Sequence, residues 1–326
     1  PLLMVSPCPT LHAIEWRPVV RPPAARERAG WPIVDVIDRS DTEPWKRSLV
    51  TSELIGHLRD PERTVVCVSN TTGRARVLAC RSCRELVRCE RCDAAVALTD
   101  DGRLRCARCD LQRPPVCANC GSSDFANLRP GVTRLREELE AAAGRAVARV
   151  TGADDDVVPD VGVYVGTEAV LHRVAAADTV AFLDIDRELL APRYRADEQA
   201  MALLVRAARL VGPRARGGRL LLQTFMPRHR VIQAALIADP GRLVAGERER
   251  RSMLGLPPFG SIAELSGPGA ADFVGSLPPD EAVLCAHVGD GRWLVRADDP
   301  PTLSRHLAAG VRPPGQRLRI AVDPAR

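Results

Sequence analysis

Apolar positions set the first divisions of this 326-residue chain. Within PWKRSLVTSELIGHLRD (44–60), Leu49, Leu54, Ile55 and Leu58 recur at helical spacing, and Asp60-Pro61 closes the run, which predicts a helix. TVVCVSN (64–70) is a continuous apolar run, and RVLAC (76–80) leads straight into a cluster of cysteines. Beyond the cluster, TRLREELEAAAG (133–144) predicts a helix with Thr133 as N-cap and Gly144 at its end. Short strands are expected at AVARV (146–150), VGVYVGT (161–167), TVAFLDID (179–186) and RLLLQT (219–224), with a helix over ADEQAMALLVRAARLVG (196–212). Apolar strands alternating with helices indicate a parallel sheet covered on both faces. Past 225, helices over RVIQAALIAD (230–239) and AGERERRSMLG (245–255) lead to LPPFGS and then to weakly alternating, Pro- and Gly-rich segments. That tail is expected to be a small α+β domain.

Eight of the eleven cysteines fall between Cys80 and Cys120, as four C-x2-C pairs: Cys80/Cys83, Cys89/Cys92, Cys106/Cys109 and Cys117/Cys120. Each pair is a knuckle that presents two thiolates to one tetrahedral ion, so four knuckles make two four-cysteine sites. A disulfide set or an iron–sulfur site are the alternatives to structural zinc. Sites with four cysteine ligands leave no position open for water, which makes these ions structural rather than catalytic. A segment of about forty residues is near the lower limit for folding on its own core. Zinc–thiolate binding supplies on the order of 10 kcal/mol per site. Spacing alone leaves two pairings open, sequential or nested. The nested one sets Cys80, Cys83, Cys117 and Cys120 around one ion and Cys89, Cys92, Cys106 and Cys109 around the other. It is preferred, because DAAVALTDDGRLR (93–105) reads as a hairpin turning at Asp101-Gly102, which brings the inner knuckles side by side.

Charge changes this picture little. The formal +5 becomes about +1 once eight thiolates and two zinc ions are counted, which removes net charge as an argument for DNA binding. Arg81, Arg84, Arg88, Arg91, Arg103, Arg105, Arg108 and Arg113 are expected to offset the thiolates locally. GERERR (246–251) alternates in sign and reads as an exposed helix face. Cys67, Cys8 and Cys285 are expected to be small buried hydrophobes. The six histidines show no ligand spacing among themselves. No run approaches the length of a membrane span and no secretory pattern opens the sequence, so a cytoplasmic protein is expected.

The cysteine spacing resembles that of the bacterial replication-restart PriA family (primosomal protein N′), and other stretches follow in the family's order. SPCPT (6–10) is similar to its first-lobe Ser-Ala-Thr-Pro motif, NTTG (70–73) stands where it has Asn-Arg-Arg-Gly, and VGTE (165–168) is similar to its Gly-Thr-Gln/Glu motif. FLDIDRELLAPRYRADEQA, LLLQT, LPPFGS and the closing AVDP resemble later segments. The resemblance implies a RecA-like superfamily-2 helicase lobe over 30–79 and 125–225, interrupted by a zinc module at 80–124. Residues 1–29 would end a preceding lobe or form a linker, and 226–326 a C-terminal domain. It also implies a 3′-to-5′ DNA helicase that recognises abandoned forks and reloads the replicative helicase. Branched or single-stranded DNA, primosome proteins and single-strand-binding proteins are the implied partners, and nested zinc pairing is favoured.

Several residues depart from that pattern. Lys46, the one lysine, is flanked by Trp45 and Arg47, so no G-x-x-x-x-G-K-[ST] loop exists in this sequence, and no Asp-Glu pair follows an apolar strand. The start at Pro1, already like the end of a first lobe, suggests a fragment whose phosphate-binding lobe lies upstream. The family's two arginine-finger positions fall on Leu210 and Pro213, and its Lys-Gly-His is replaced by Leu171, His172 and Arg173. Arg206, Arg209, Arg214 and Arg216 are out of register and read as a solvated helix end. Gly166, Thr167 and Glu168 are at most a nucleotide-motif remnant, and no ATP is expected here. Three functions follow: a non-hydrolysing fork-binding and primosome-assembly protein, the C-terminal part of a working helicase, or a purely structural zinc protein.

Overall fold

The computed structural model describes residues 5–40, 48–69, 78–99, 101–106, 108–127, 132–150, 152, 158–289 and 291–324. Two short helices, α1 (Leu11–Trp16) and α2 (Ala24–Ala29), precede β1 (Ile33–Asp38), α3 (Ser52–Leu58) and β2 (Val65–Val68). Five short strands make up the cysteine-rich segment: β3 (Leu78–Cys80), β4 (Val96–Leu98), β5 (Leu104–Cys106), β6 (Gln112–Arg113) and β7 (Phe125–Asn127). Then follow α4 (Val132–Ala143), β8 (Ala148–Val150), β9 (Val163–Gly166), α5 (Val170–Arg173) and β10 (Thr179–Phe182). The chain continues through α6 (Asp186–Leu189), α7 (Ala196–Val211), β11 (Arg219–Thr224), α8 (Arg230–Leu236) and α9 (Val244–Met253). It closes with β12 (Ser261–Ser266), α10 (Ala270–Gly275), β13 (Val283–His287), β14 (Trp293–Ala297), α11 (Pro300–Ala308) and β15 (Arg319–Val322).

Six strands form one parallel sheet in the order β1-β11-β10-β2-β9-β8. Its strands are apolar on both faces because both are covered. Val66, Val68, Val180, Phe182, Leu220 and Leu222 face α5, α7 and α8, while Val65, Cys67, Val163, Val165, Ala181 and Leu221 face α3 and α4. Burying each large side chain in such a layer contributes roughly 1.5–3 kcal/mol. Gly166, where β9 ends, has a plain packing cause: a Cβ there would lie 1.9 Å from the Val150 carbonyl oxygen of the neighbouring strand. The C-terminal part is a separate four-stranded antiparallel sheet, β13-β14-β12-β15, packed on α10 and α11 through Phe273, Val295 and Leu303.

Local chemistry moves several boundaries. Of the helix expected over 44–60, residues 44–47 lie outside the described residues and α3 is the helical part of the rest, where Thr51 accepts the Leu54 N–H at 3.4 Å as N-cap. Leu49 reaches the core from extended chain, its carbonyl held by Gln223 Nε2 at 2.8 Å. The strand expected over 179–186 stops at Phe182, because the Asp186 carboxylate turns back to accept the Phe225 N–H at 2.8 Å and opens α6. The helix α4 begins at Val132, one residue before the Thr133 expected as its N-cap. Gly144, at φ +67°, ends that helix as expected. NTTG and Lys46 lie outside the described residues.

Candidate metal centre

Each knuckle folds by the same two backbone hydrogen bonds. The N–H of the residue after the second cysteine donates to the carbonyl of the first: Arg84 to Cys80 (2.9 Å), Asp93 to Cys89 (2.8 Å), Asp110 to Cys106 (3.0 Å) and Gly121 to Cys117 (2.9 Å). In return the first cysteine's N–H reaches one residue further on, to Glu85 (2.9 Å), Ala94 (2.8 Å), Leu111 (2.9 Å) and Ser122 (2.8 Å). The turn requires a left-handed residue just past each second cysteine, and Arg84, Asp93, Asp110 and Gly121 have φ of +67°, +59°, +57° and +75°. This geometry buries the first cysteine of every pair and leaves the second more accessible, Cys120 most of all.

The knuckles come together in nested fashion. Cys80, Cys83, Cys117 and Cys120 form one group and Cys89, Cys92, Cys106 and Cys109 the other, all sulfurs of a group within 4.8 Å of one another. The hairpin of β4 and β5 brings the inner pairs together, with Val96 opposite Cys106 and Leu98 opposite Leu104. Asp101-Gly102 lie in its turn as expected, with Gly102 at φ +77° and the Thr99 N–H donating to Arg103 O at 2.9 Å. The outer pairs meet through β3 and β7, which pair antiparallel.

Sulfur–sulfur distances fit a tetrahedral ion. They are 3.5 Å for Cys80–Cys120, 3.6 Å for Cys83–Cys117, 3.5 Å for Cys89–Cys109 and 3.4 Å for Cys92–Cys106. A disulfide would require about 2.05 Å. A tetrahedron of sulfurs about 2.3 Å from zinc has edges of roughly 3.8 Å. Protonated thiols at this spacing compete for protons: the Cys92 hydrogen bond pulls Cys106 down to about 5, and the same contact raises Cys92. A divalent cation replaces those protons and removes the competition. Both groups can therefore hold a metal ion, and the all-sulfur donor set is consistent with zinc.

Four of the arginines around the clusters meet carboxylates: Arg81 pairs with Asp124 (3.3 Å), Arg88 with Asp93 (3.1 Å), Arg105 with Asp110 and Arg113 with Glu90 (3.4 Å). Arg108, between the two cysteines of an inner knuckle, clamps the module to the connection between α6 and α7. Its guanidinium donates to the carbonyls of Cys92 (2.9 Å), Ala191 (2.7 Å) and Arg193 (2.9 Å). Beside it the Ala95 N–H donates to Leu190 O at 3.0 Å, and Ala79, Leu86, Ala95 and Leu190 form a small apolar contact with Phe225 and Met226.

The connection between α6 and α7 is tied on its other side as well. Tyr194 and Arg195 both bond Asp323, the Tyr194 carbonyl accepts from Arg250 (2.8 Å), and Glu198 accepts the Leu11 N–H (2.9 Å). Glu247 and Arg251 of GERERR are buried here, which corrects the reading of that stretch as an exposed face. Arg251 is wholly buried, bonded to Glu247 (2.9 Å) and Glu198 (3.3 Å), with its guanidinium over the Tyr194 ring. Of the remaining cysteines, Cys67 is buried and its thiol is pushed up to about 12 by that burial. Cys8 and Cys285 are only partly covered, unlike the full burial expected of them.

The fold and this site define an α/β protein whose parallel sheet carries a docked module of two four-cysteine clusters. Comparison with known proteins narrows the class: the chain is PriA-like. It is 33% identical over 267 residues to the probable replication restart protein PriA of Mycobacterium leprae, covering 75% of this chain and 40% of that protein. The PriA of Haemophilus influenzae is 27% identical over 283 residues (75% and 39%), and that of Synechocystis sp. 25% identical over 257 residues (71% and 31%). The chain thus spans between about a third and two fifths of the length of these curated relatives. No family model matches it. Among the described residues, no helix is long and apolar enough to cross a membrane.

Proposed function

We propose that this chain serves replication restart, binding forked DNA and assembling primosome partners on a platform built around two zinc ions. The observation that carries the reading is its similarity to replication restart PriA proteins of several bacteria across about three quarters of the chain. The two four-sulfur groups agree with it, with Cys80, Cys83, Cys117 and Cys120 as one ligand set and Cys89, Cys92, Cys106 and Cys109 as the other. On this reading residues 30–79 and 125–225 are a RecA-like lobe, 80–124 the zinc module and 226–326 a C-terminal domain.

The lobe is read as having no motor chemistry of its own. Leu210 packs on the apolar core of the sheet, and Pro213 follows the helix-ending Gly212, so neither position offers a cation to a phosphate. Gly166 is explained by strand packing alone. The second reading, part of an active 3′-to-5′ helicase, is favoured by the share of its relatives' length that the chain leaves unmatched. ATP turnover by the full-length gene product, with and without forked DNA, separates the two. No turnover from folded, zinc-loaded protein that still binds forks is expected; turnover stimulated by the fork would replace the platform with a helicase.

A further inference from the structure

Arginine is concentrated in two segments of the main domain. Residues 17–30 hold Arg17, Arg21, Arg26 and Arg28 against a single acid, Glu27, and residues 206–219 hold Arg206, Arg209, Arg214, Arg216 and Arg219 with no acid. The fold sets the two side by side. The Trp31 N–H donates to Arg28 O (3.2 Å), the Arg214 N–H to Trp31 O (3.0 Å) and the Ile33 N–H to Gly218 O (2.9 Å), and from there β1 and β11 run in parallel register.

The acids near this place are already engaged. Glu27 and Asp239 hold Arg21, each at 2.9 Å, and Asp35 holds Arg219 at 2.7 Å, while Arg206 donates to the Leu171 carbonyl at 3.1 Å. Arg26, Arg28, Arg209, Arg214 and Arg216 are exposed and make no ion pair among the described residues. That contrasts with the metal module, whose Arg81, Arg88, Arg105 and Arg113 each meet a carboxylate. The α7 dipole accounts for Arg209 in its last turn, but its influence ends within that turn. Arg214 and Arg216 lie past the cap at Gly212, and Arg26 and Arg28 belong to α2.

We infer that this arginine face, at the amino-terminal ends of β1 and β11, is a contact surface for the sugar–phosphate backbone of DNA. The inference rests on the DNA-binding reading above and gives it a location. Guanidinium groups suit the task because their planar donors match phosphate oxygens in pairs. Arginines engaged with phosphate oxygens fix position and carry no sequence information, so the contact inferred is one of charge and positioning. Five exposed arginines without an ion pair among the described residues, in two segments joined by backbone hydrogen bonds, favour a polyanion over a neutral partner in a chain whose metal-loaded net charge is near zero.

The test is the salt dependence of binding to a fluorescent forked DNA, for the wild-type chain and for R26Q/R28Q/R214Q/R216Q. All four side chains are exposed, and an unchanged melting midpoint and zinc content keep folding out of the comparison. The variant is expected to bind at least about tenfold more weakly at low salt, with a log K against log salt slope shallower by roughly 3. Equal affinity and slope for both proteins would overturn the arginine face while leaving DNA binding itself in place. A wild-type chain that binds no DNA would overturn both. A wild-type chain that binds phosphatidylserine vesicles but not the fork would reassign the surface to a membrane.

Discussion

Left-handed backbone after each second cysteine is the smallest feature on which the metal module depends. Gly121 adopts it freely, and a Cβ added there would meet nothing within 4 Å, so Gly121→Ala isolates the backbone penalty. That penalty is roughly 1–2 kcal/mol. The variant should therefore bind metal about tenfold more weakly at the outer site, read by competition with a chromophoric chelator, and unchanged affinity would show that the turn is not strained. Sequence marks this requirement strongly at Gly121 and weakly at Asp93 and Asp110, because Asp tolerates the left-handed region; at Arg84 the side chain gives no hint of φ, and the surrounding hydrogen bonds impose it. Asp186 carries a second residue-scale consequence. Burial, with the nearby Asp184 charge adding to it, raises its carboxyl to about 7. An unfolded aspartate titrates near about 3.9. Between those values the folded chain holds a proton that the unfolded chain has released, so stability falls as pH rises from about 4 to about 7. Asp186→Asn should lose less stability than wild type between pH 5 and pH 8 in urea denaturation; an identical loss would remove Asp186 as the cause.

Helices and strands were legible wherever one face or both met the core. The alternation of apolar strands with helices announced the parallel sheet, and α7 and β11 lie within a residue of their expected bounds. GERERR failed for a definite reason: charge alternation signals solvent only if the opposite charges have no buried partners. In α9 the same residues turn Glu247 and Arg251 inward, where Glu198, Arg230 and Tyr194 complete their contacts from other elements. No local pattern carries that information, since Glu198 lies 53 residues away in sequence. Removing one partner of such a network leaves buried charge uncompensated, at a cost of about 3–5 kcal/mol. Arg251→Ala should lower the urea midpoint accordingly and loosen α9 from α7, seen as faster amide exchange in both; a shift below about 1 kcal/mol would mean that water replaces the guanidinium.

The whole molecule is two sheet layers and a cysteine-built module, joined at the segment between α6 and α7. The eight cysteines and their nested grouping were readable from spacing and the hairpin between them, whereas the docking of the module was not. Arg108 looked like one more arginine among thiolates, yet it reaches carbonyls 83 and 85 residues further along the chain. Metal loading therefore bears on more than the module's own fold, because the same segment bonds His12 of α1, α9 and Asp323. The central claim is that thiolate-bound zinc builds this platform, and elemental analysis of the purified chain, before and after treatment with a strong chelator, tests it most directly. Two zinc ions per chain are expected, with their removal melting the module and freeing eight reactive thiols while the parallel sheet stays folded. Fewer than two ions with the thiols locked as disulfides, or iron in place of zinc, would contradict it.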